Sequence, residues 1–94
     1  MKYVLLYEAT KDFMSKVPQN IAGHRALWQK FHGEGTLMMV GPFMDPPAGG
    51  AMGIFTTREA AEAFVAADPF VASGIVARHS IREWNEVLAP QPAK

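Results

Sequence analysis

Two residues of this chain have side chains and settings suited to acid–base chemistry, His24 and Asp68. His24 recurs with Ile21, Trp28 and Phe31 at three- and four-residue intervals, so it lies on the apolar stripe of a predicted helix. Burial disfavours a charged imidazolium, whereas a neighbouring carboxylate favours it and fixes the tautomer, a combination suited to a general base or acid. The same spacing also fits a histidine at the edge of the core that bonds a carbonyl or water, and spacing alone favours that structural role.

Asp68 stands before a proline inside the otherwise apolar segment VAADPFVASG, residues 65–74. Aspartate is a favoured N-cap and proline a favoured first helical residue, so DPFVASG predicts a helix of one to two turns closed by Gly74. A carboxylate held by backbone donors is also fixed in place and kept ionised, which suits it to orient a neighbouring histidine. A structural role and a chemical role for Asp68 therefore both remain open.

Several other kinds of site are disfavoured by the sequence. The chain has no cysteine, which excludes disulfides, thiolate nucleophiles and thiolate metal sites and makes the cytoplasm the expected location. The histidines show no HxxxH or HxH spacing, and GPFMDPPAGG lacks both the Walker and the GxGxxG patterns, so we expect neither a metal nor a nucleotide cofactor. His32, at a helix end, and His79, on a strand, are interpreted as structural.

Composition and charge set the class of protein. The chain has 94 residues, 49% of them hydrophobic, which predicts one globular domain at residues 1–88 with a flexible C-terminal tail at 89–94. Nine basic and nine acidic residues leave no net charge, so the field needed to bind nucleic acid is missing. The apolar run from Tyr3 to Tyr7 is too short for a signal sequence or a membrane span.

The first half of the chain predicts two strands and a helix. KYVLLYE is rich in aromatic and branched residues and predicts a strand. We expect a loop to about Val17 and then a helix, because Pro18 suits a first helical turn and Gly33 and Gly35 suit its end. TLMMVGPF predicts the second strand and MDPPAGG the loop after it.

The second half predicts the same order again, a strand, a helix and a strand. AMGIFTT predicts a third strand, and Thr56 with Glu59 matches a capping box for a helix from about Thr57 to near Asp68. Its inward residues are predicted to be Ala61, Phe64 and Val65. A last extended segment runs from about Ile75 through SIREWNEVL, where Ile81 and Trp84 break strict alternation in a way compatible with a bulge near Glu83.

The predicted fold class is α+β, with the ferredoxin-like order βαββαβ, an antiparallel sheet and both helices on one face. The strands carry apolar side chains on both faces, whereas two helices cover only one. A short chain buries a limited share of its surface, and a second copy is the simplest cover for the other face. We therefore expect a homodimer formed through the sheet face.

Four segments together resemble a known family. The opening YVLLYE, the stretch IAGHRALW, the GPF after an apolar strand, and AADPFVASGIV with IREW downstream are similar in order and spacing to YciI-like, or YCII-related, proteins over about residues 1–88. The chain departs from the family in two places: only Pro18 remains of a proline-rich spacing before the histidine, and QNIAG replaces the more usual Pro-Ala.

The resemblance implies a ferredoxin-like dimer of the dimeric α+β-barrel type and a catalytic His–Asp pair that falls on His24 and Asp68. A related enzyme removes chloride from a chlorinated hydroxyquinol, and such chemistry needs no cofactor. The expected function is therefore a cofactor-independent lyase or isomerase acting on a small cyclic or aromatic metabolite. The alternatives are a non-catalytic module that binds a small ligand or acts as an accessory dimer, and a domain whose function is the dimer itself.

Six further residues are candidates for the walls of the cleft. The aromatic residues would stack on a ligand and the Gly-Pro pair would supply a backbone wall; together they are Tyr7, Trp28, Gly41, Pro42, Phe43 and Phe70. Met38, Met39, Met44 and Met52 would also suit an apolar pocket. Methionine is more often an adaptable filler of the core, and that interpretation is favoured here.

Overall fold

The computed structural model describes residues 1–90, in which the chain forms four strands and three helices. The elements follow in the order β1 (Lys2–Ala9), α1 (Phe13–Gly33), β2 (Leu37–Pro42), β3 (Ala51–Phe55), α2 (Arg58–Ala67), α3 (Pro69–Ala72) and β4 (Val76–Trp84). The predicted βαββαβ order is confirmed, and α3 is the short helix predicted after Asp68. Of the expected C-terminal tail, residues 91–94 lie outside the described part of the chain.

The four strands form one antiparallel sheet in the order β2-β3-β1-β4. The consecutive strands β2 and β3 are neighbours in the sheet. β1 lies between β3 and β4. Leu5 of β1 is opposite Gly53 of β3 and Ile81 of β4. This is the ferredoxin-like sheet that the sequence predicts.

The core lies between one face of the sheet and the helices. Phe31 of α1, Phe55 of β3 and Phe64 of α2 meet edge to face, with ring centroids 5.4–6.4 Å apart, an arrangement that aromatic rings favour. Phe55 and Phe64 are almost fully buried, as the predicted inward residue Ala61 is. Val65, also predicted to face inward, is half-buried against this cluster.

The opposite face of the sheet is apolar over β1, β2 and β3, and no helix of the single chain covers it, whereas β4 places Arg82 and Ser80 beside Val4 and Leu6. Because side chains alternate along a strand, the residues between the buried ones point outward. On this outer face Val4 and Leu6 of β1 pair with Ile54 and Met52 of β3. Met39 of β2, opposite Ile54, is 67% exposed.

The start of the first helix differs from the prediction. The sequence predicts a loop to about Val17, but α1 begins at Phe13 and runs through Pro18. Proline cannot donate the backbone hydrogen bond to the carbonyl four residues back, so one bond of the helix is missing there. Phe13, Met14 and Val17, which precede the proline in this helix, line the cavity described below.

Three details of the second half also differ. The N-cap of α2 is Thr57, whose hydroxyl accepts from the Ala60 N–H, so the predicted capping box of Thr56 and Glu59 is wrong by one residue. The last strand ends at Trp84, earlier than predicted. The pairing of β1 with β4 is regular beside Glu83, and its irregularity lies at the other end, between Glu8 and Ala9.

Candidate functional site

His24 is placed by a close contact between α1 and α3. Gly23, directly before it, has no side chain, and a Cβ there would lie 3.3 Å from Cγ of Pro69. The helix backbone therefore approaches the start of α3 closely enough to bring the imidazole beside Asp68. The His24 side chain is 14% exposed.

Asp68 connects two helices, and its backbone conformation turns the chain between them. It is the C-cap of α2 and the N-cap of α3, with an extended conformation of φ −77° and ψ 118°. Its Oδ1 accepts from the N–H of Phe70 at 3.0 Å, and Pro69 is the first helical residue. The capping role predicted from the Asp-Pro pair is confirmed.

The carboxylate of Asp68 also joins two side chains from other elements. Nδ1 of His24 lies 2.8 Å from Oδ1, and the hydroxyl of Tyr7 donates to Oδ2 at 2.8 Å. Since Oδ1 accepts from a backbone N–H as well, we assign the proton of the imidazole to Nδ1, which leaves Nε2 with a free lone pair. Among the described residues, Nε2 has no hydrogen-bond partner.

The electrostatic setting of Asp68 is unusual for a buried acid. The residue is 1% exposed, and among residues 1–90 its ion-pair partner is His24, with no lysine or arginine in contact. Three donors satisfy its oxygens, which offsets part of the cost of burying the carboxylate. Burial first, and then the charge of Asp68 and the hydrogen bond to it, raise the pKa of Tyr7 far above its usual value, so the phenol remains a donor.

Phe70 holds the imidazole from a second direction. Its ring is stacked on that of His24, with centroids 3.8 Å apart and planes at 6°. Its own backbone N–H donates to Asp68. One residue at the start of α3 therefore fixes both members of the pair.

A cavity of about 420 Å³ lies between α1 and the inner face of the sheet, and His24 is part of its wall. The lining is mostly apolar and contains no acidic residue, lysine or arginine among the described residues. Its polar side chains are those of Tyr7, His24 and Trp28. Asp68 is absent from the lining, so it reaches a molecule in the cavity only through its hydrogen-bond partners.

Five of the six predicted wall residues line this cavity: Tyr7, Trp28, Gly41, Pro42 and Phe70. Phe43 does not. The strand β2 ends at Pro42, and the backbone N–H of Phe43 donates to the carbonyl of Gly50, the last loop residue before β3. The Phe43 ring lies on the surface and is 43% exposed.

The first turns of α1 form part of the cavity wall, which was not predicted from the sequence. Phe13 and Val17 continue the stripe of Ile21, His24 and Trp28 at intervals of three and four residues. The same periodicity that predicted the later part of the helix therefore extends to its first residue. The link between Tyr7 and Asp68, 61 positions apart, left no signal in the sequence.

The other histidines have surroundings different from that of His24. Nδ1 of His32 lies 2.8 Å from the carbonyl oxygen of Leu37, and His79 is exposed on β4. Across residues 1–90, three or more histidine, aspartate or glutamate side chains do not come together in a way that would hold a metal ion. None of the helices in this part of the chain has the length and apolar character needed to span a membrane.

Comparison with known proteins gives a family match and two curated relatives. The model of the YCII-related domain matches residues 1–85. The proteins named YciI from Escherichia coli O6:H1 and from Shigella flexneri are each 33% identical to this chain over 98 aligned positions, covering 94% of this chain and all of the relative.

Two solved structures share the fold. The 5-chloro-2-hydroxyhydroquinone dehydrochlorinase TftG from Burkholderia phenoliruptrix, solved in complex with 2,5-dihydroxybenzoquinone, has a TM-score of 0.73 at 19% identity, covering 90% of this chain and 94% of its own. NE2512, a protein of unknown function from Nitrosomonas europaea, has a TM-score of 0.57 at 14% identity, covering 99% of this chain and 94% of its own.

Proposed function

Because this chain belongs to the YCII-related family, we propose that it is a small acid–base enzyme in which His24 moves the proton and Asp68 positions His24. The observation that carries the proposal is the 2.8 Å contact between Nδ1 of His24 and Oδ1 of Asp68 in the wall of an apolar cavity. The likeness to a dehydrochlorinase supports a small-molecule enzyme of this fold.

The proposed chemical step is proton transfer at Nε2. With Nδ1–H bonded to Asp68, Nε2 is the ring nitrogen available to a molecule in the cavity, and it accepts a proton from a hydroxyl group or from a carbon next to a carbonyl. The buried carboxylate stabilises the imidazolium that forms, because its negative charge lies within hydrogen-bond distance. The imidazolium then returns the proton to another atom of the same molecule. The lining offers no activated nucleophile, so no covalent intermediate is proposed.

The lining of the cavity also favours a particular class of substrate. A carboxylate or phosphate would be buried without a lysine or arginine partner, which costs several kcal/mol by order of magnitude. A planar ring that carries hydroxyl or carbonyl groups suits the aromatic side chains and the few polar groups. We therefore propose a small cyclic or aromatic substrate without a carboxylate or phosphate.

A substrate panel in deuterated buffer tests this function. We would incubate the protein with hydroquinones, hydroxyquinols and their chlorinated derivatives and follow deuterium incorporation, chloride release and new products by NMR. We expect turnover of at least one compound, which His24→Gln abolishes and His32→Gln preserves. Turnover that survives in His24→Gln would contradict the proposed role of the imidazole.

The panel also separates the enzyme from a module that only binds ligands. Methyl 2,5-dihydroxybenzoate and 2,5-dihydroxybenzoate differ mainly in the charge of one group, so calorimetry with both tests the preferred ligand class. We expect the ester to bind at least about tenfold more tightly, a difference of ~1.4 kcal/mol. Tight binding across the panel without any turnover would favour the non-catalytic alternative.

We propose in addition that two copies of the chain associate through the outer face of the sheet. The support is the apolar surface formed by Val4, Leu6, Met39, Met52 and Ile54, in which Met39 is exposed and the other four are half-buried in one copy. Exposed apolar patches on soluble proteins mark protein–protein or membrane contacts, ligand-binding grooves or aggregation-prone surfaces. A self-complementary face pairs most simply about a two-fold axis.

A further inference from the structure

Oδ2 of Asp68 has a hydrogen-bond partner that takes no part in the proposed proton transfer. The hydroxyl of Tyr7 lies 2.8 Å from Oδ2 in a buried contact, whereas Oδ1 serves His24 and the backbone N–H of Phe70. The phenol ring forms part of the cavity wall, but its hydroxyl is committed to the carboxylate. The two oxygens of Asp68 therefore serve different partners.

This division of partners limits how the carboxylate can turn. A carboxylate held by one oxygen can rotate about its Cβ–Cγ bond and change the acceptor that it presents to the imidazole. Tyr7 holds Oδ2 from β1 while Phe70 holds Oδ1 from α3. The orientation of the acceptor for Nδ1–H is thereby fixed from two elements, which a positioning shell requires.

The same contact also changes the electrostatics of the pair. A hydroxyl that donates to a carboxylate stabilises its negative charge and so reduces its attraction for a proton on a neighbouring group. Asp68 has no lysine or arginine partner among the described residues. Tyr7 is therefore the side chain that can weaken the electrostatic attraction between Asp68 and a protonated His24.

Other titratable groups on the surrounding elements are exposed or bonded elsewhere. On α1, Lys16 forms an ion pair with Asp12 and Arg25 is exposed. On α2, Glu62 is exposed, and on β4, His79 is exposed although it is opposite Tyr7 in the strand pairing. None of these groups hydrogen-bonds to the imidazole or the carboxylate among residues 1–90.

We propose that Tyr7 is a positioning residue of the His24–Asp68 pair, which fixes the carboxylate through Oδ2 and weakens its hold on the imidazolium so that His24 can return its proton. The functional meaning rests on the proposed acid–base role of His24. The contacts themselves do not, so the test is a titration that needs no substrate.

Titration of the ¹⁵N-labelled His24 ring by NMR provides the test. Tyr7→Phe leaves the carboxylate more basic, so we expect the midpoint of the His24 titration to rise. Asp68→Asn removes the charge, so we expect the midpoint to fall. The matched control is Tyr3→Phe on the same strand and face, whose hydroxyl makes a longer, exposed contact of 3.4 Å with Glu83, and the His24 midpoint is expected to stay unchanged.

A second measurement keeps the proposal testable if Tyr7→Phe does not fold. The chain has two tyrosines, so fluorotyrosine incorporated into the Tyr3→Phe protein labels position 7 alone. Fluorine beside the hydroxyl makes the phenol more acidic and a stronger donor, so we expect the His24 midpoint to fall, opposite to the effect of Tyr7→Phe. A midpoint unchanged by fluorotyrosine, or a fall in Tyr7→Phe, would overturn the proposal.

The two proposals can fail separately. If the midpoint moves as expected but the substrate panel shows no turnover, the role of Tyr7 stands and the enzymatic function falls. If His24-dependent turnover is found while both tyrosine changes leave the midpoint and the pH profile of the rate unmoved, the function stands and Tyr7 is merely a packed core residue.

Discussion

At the scale of single residues, Asp68 has both a structural and an electrostatic task. It starts α3, accepts from Tyr7 and contacts His24, while buried almost completely. The capping role follows from neighbours in sequence and was predictable from the Asp-Pro pair. The contact with His24 was a hypothesis from the family resemblance, and the contact with Tyr7 was not predictable, because it depends on how β1 packs against the end of α2.

The buried hydrogen bond of Tyr7 should contribute measurably to stability. Tyr7→Phe leaves Oδ2 of a buried carboxylate without its donor, which costs about 1–3 kcal/mol. Tyr3→Phe removes an exposed contact and should change the free energy of unfolding by less than about 0.5 kcal/mol. Urea unfolding of both variants measures the difference, and equal values for the two would show that the Tyr7 contact adds little.

At the scale of elements, the site depends on how closely α1 approaches α3. The predicted start of α1 at Pro18 was wrong because a proline five residues after a helix start is rare. The cavity that Phe13 and Val17 line is formed by tertiary structure, which the local sequence does not show. The later part of the helix was predictable from its periodicity. The close contact at Gly23 was not predictable, because a glycine inside a helix does not indicate which residue packs against it.

A methyl group at Gly23 should disturb the site more than the fold. Ala in place of Gly inside a helix adds up to about 1 kcal/mol of stability, but at Gly23 the added Cβ would press on Pro69 at 3.3 Å. We expect Gly23→Ala to gain less stability than Gly33→Ala, where a Cβ meets nothing within 4 Å. We also expect only the former to shift the NMR signals of the His24 ring; unchanged signals would show that the helices can separate without affecting the pair.

A pair of ion contacts joins β1 to the segment after β4. Glu86 contacts both Lys2 and the N-terminal amine at 2.7 Å. The hydrogen bond from Lys2, followed by that from the amine, lowers the pKa of Glu86 from its ordinary value of 4.5 to about 2. Its contribution to stability is therefore present above pH 4.5 and is lost as the pH falls towards 2.

Glu86→Gln should remove this part of the acid sensitivity. The variant loses stability relative to the wild type above pH 4.5, and the difference between the two shrinks as the pH falls from 4.5 to 2. Glu62→Gln, an exposed residue of α2, serves as the control with little change at any pH. Urea unfolding across this range checks the expectation, and a difference that stays constant with pH would contradict it.

At the scale of the whole molecule, two apolar regions lie on opposite sides of one sheet. One is the cavity with His24 in its wall, and the other is the outer face formed by β1, β2 and β3. The apolar residues on both faces of the strands were visible in the sequence and predicted a cover for each. The sequence did not indicate that the inner cover would leave a hollow of about 420 Å³, because that depends on how closely the side chains of α1 fill the space above the sheet.

A charge on the outer face should prevent the proposed dimer. Met39 is 67% exposed in the single chain, so Met39→Lys should leave the subunit folded while placing a cation in the interface. We expect a dimer for the wild type and for Met44→Lys, whose side chain is 91% exposed on the loop after β2, and a monomer for Met39→Lys. Light scattering coupled to gel filtration measures the mass, and a monomeric wild type would refute the proposed association.

The double role of Asp68 constrains how the chain can diverge. A descendant that no longer needs the chemistry can exchange His24 and still leave Asp68 two donors, the Tyr7 hydroxyl and the Phe70 backbone N–H. Exchange of Asp68 would leave α3 without its N-cap and a buried tyrosine hydroxyl without an acceptor. Relatives that retain the aspartate but not the histidine are thus expected to have lost the activity while keeping the structure of the site.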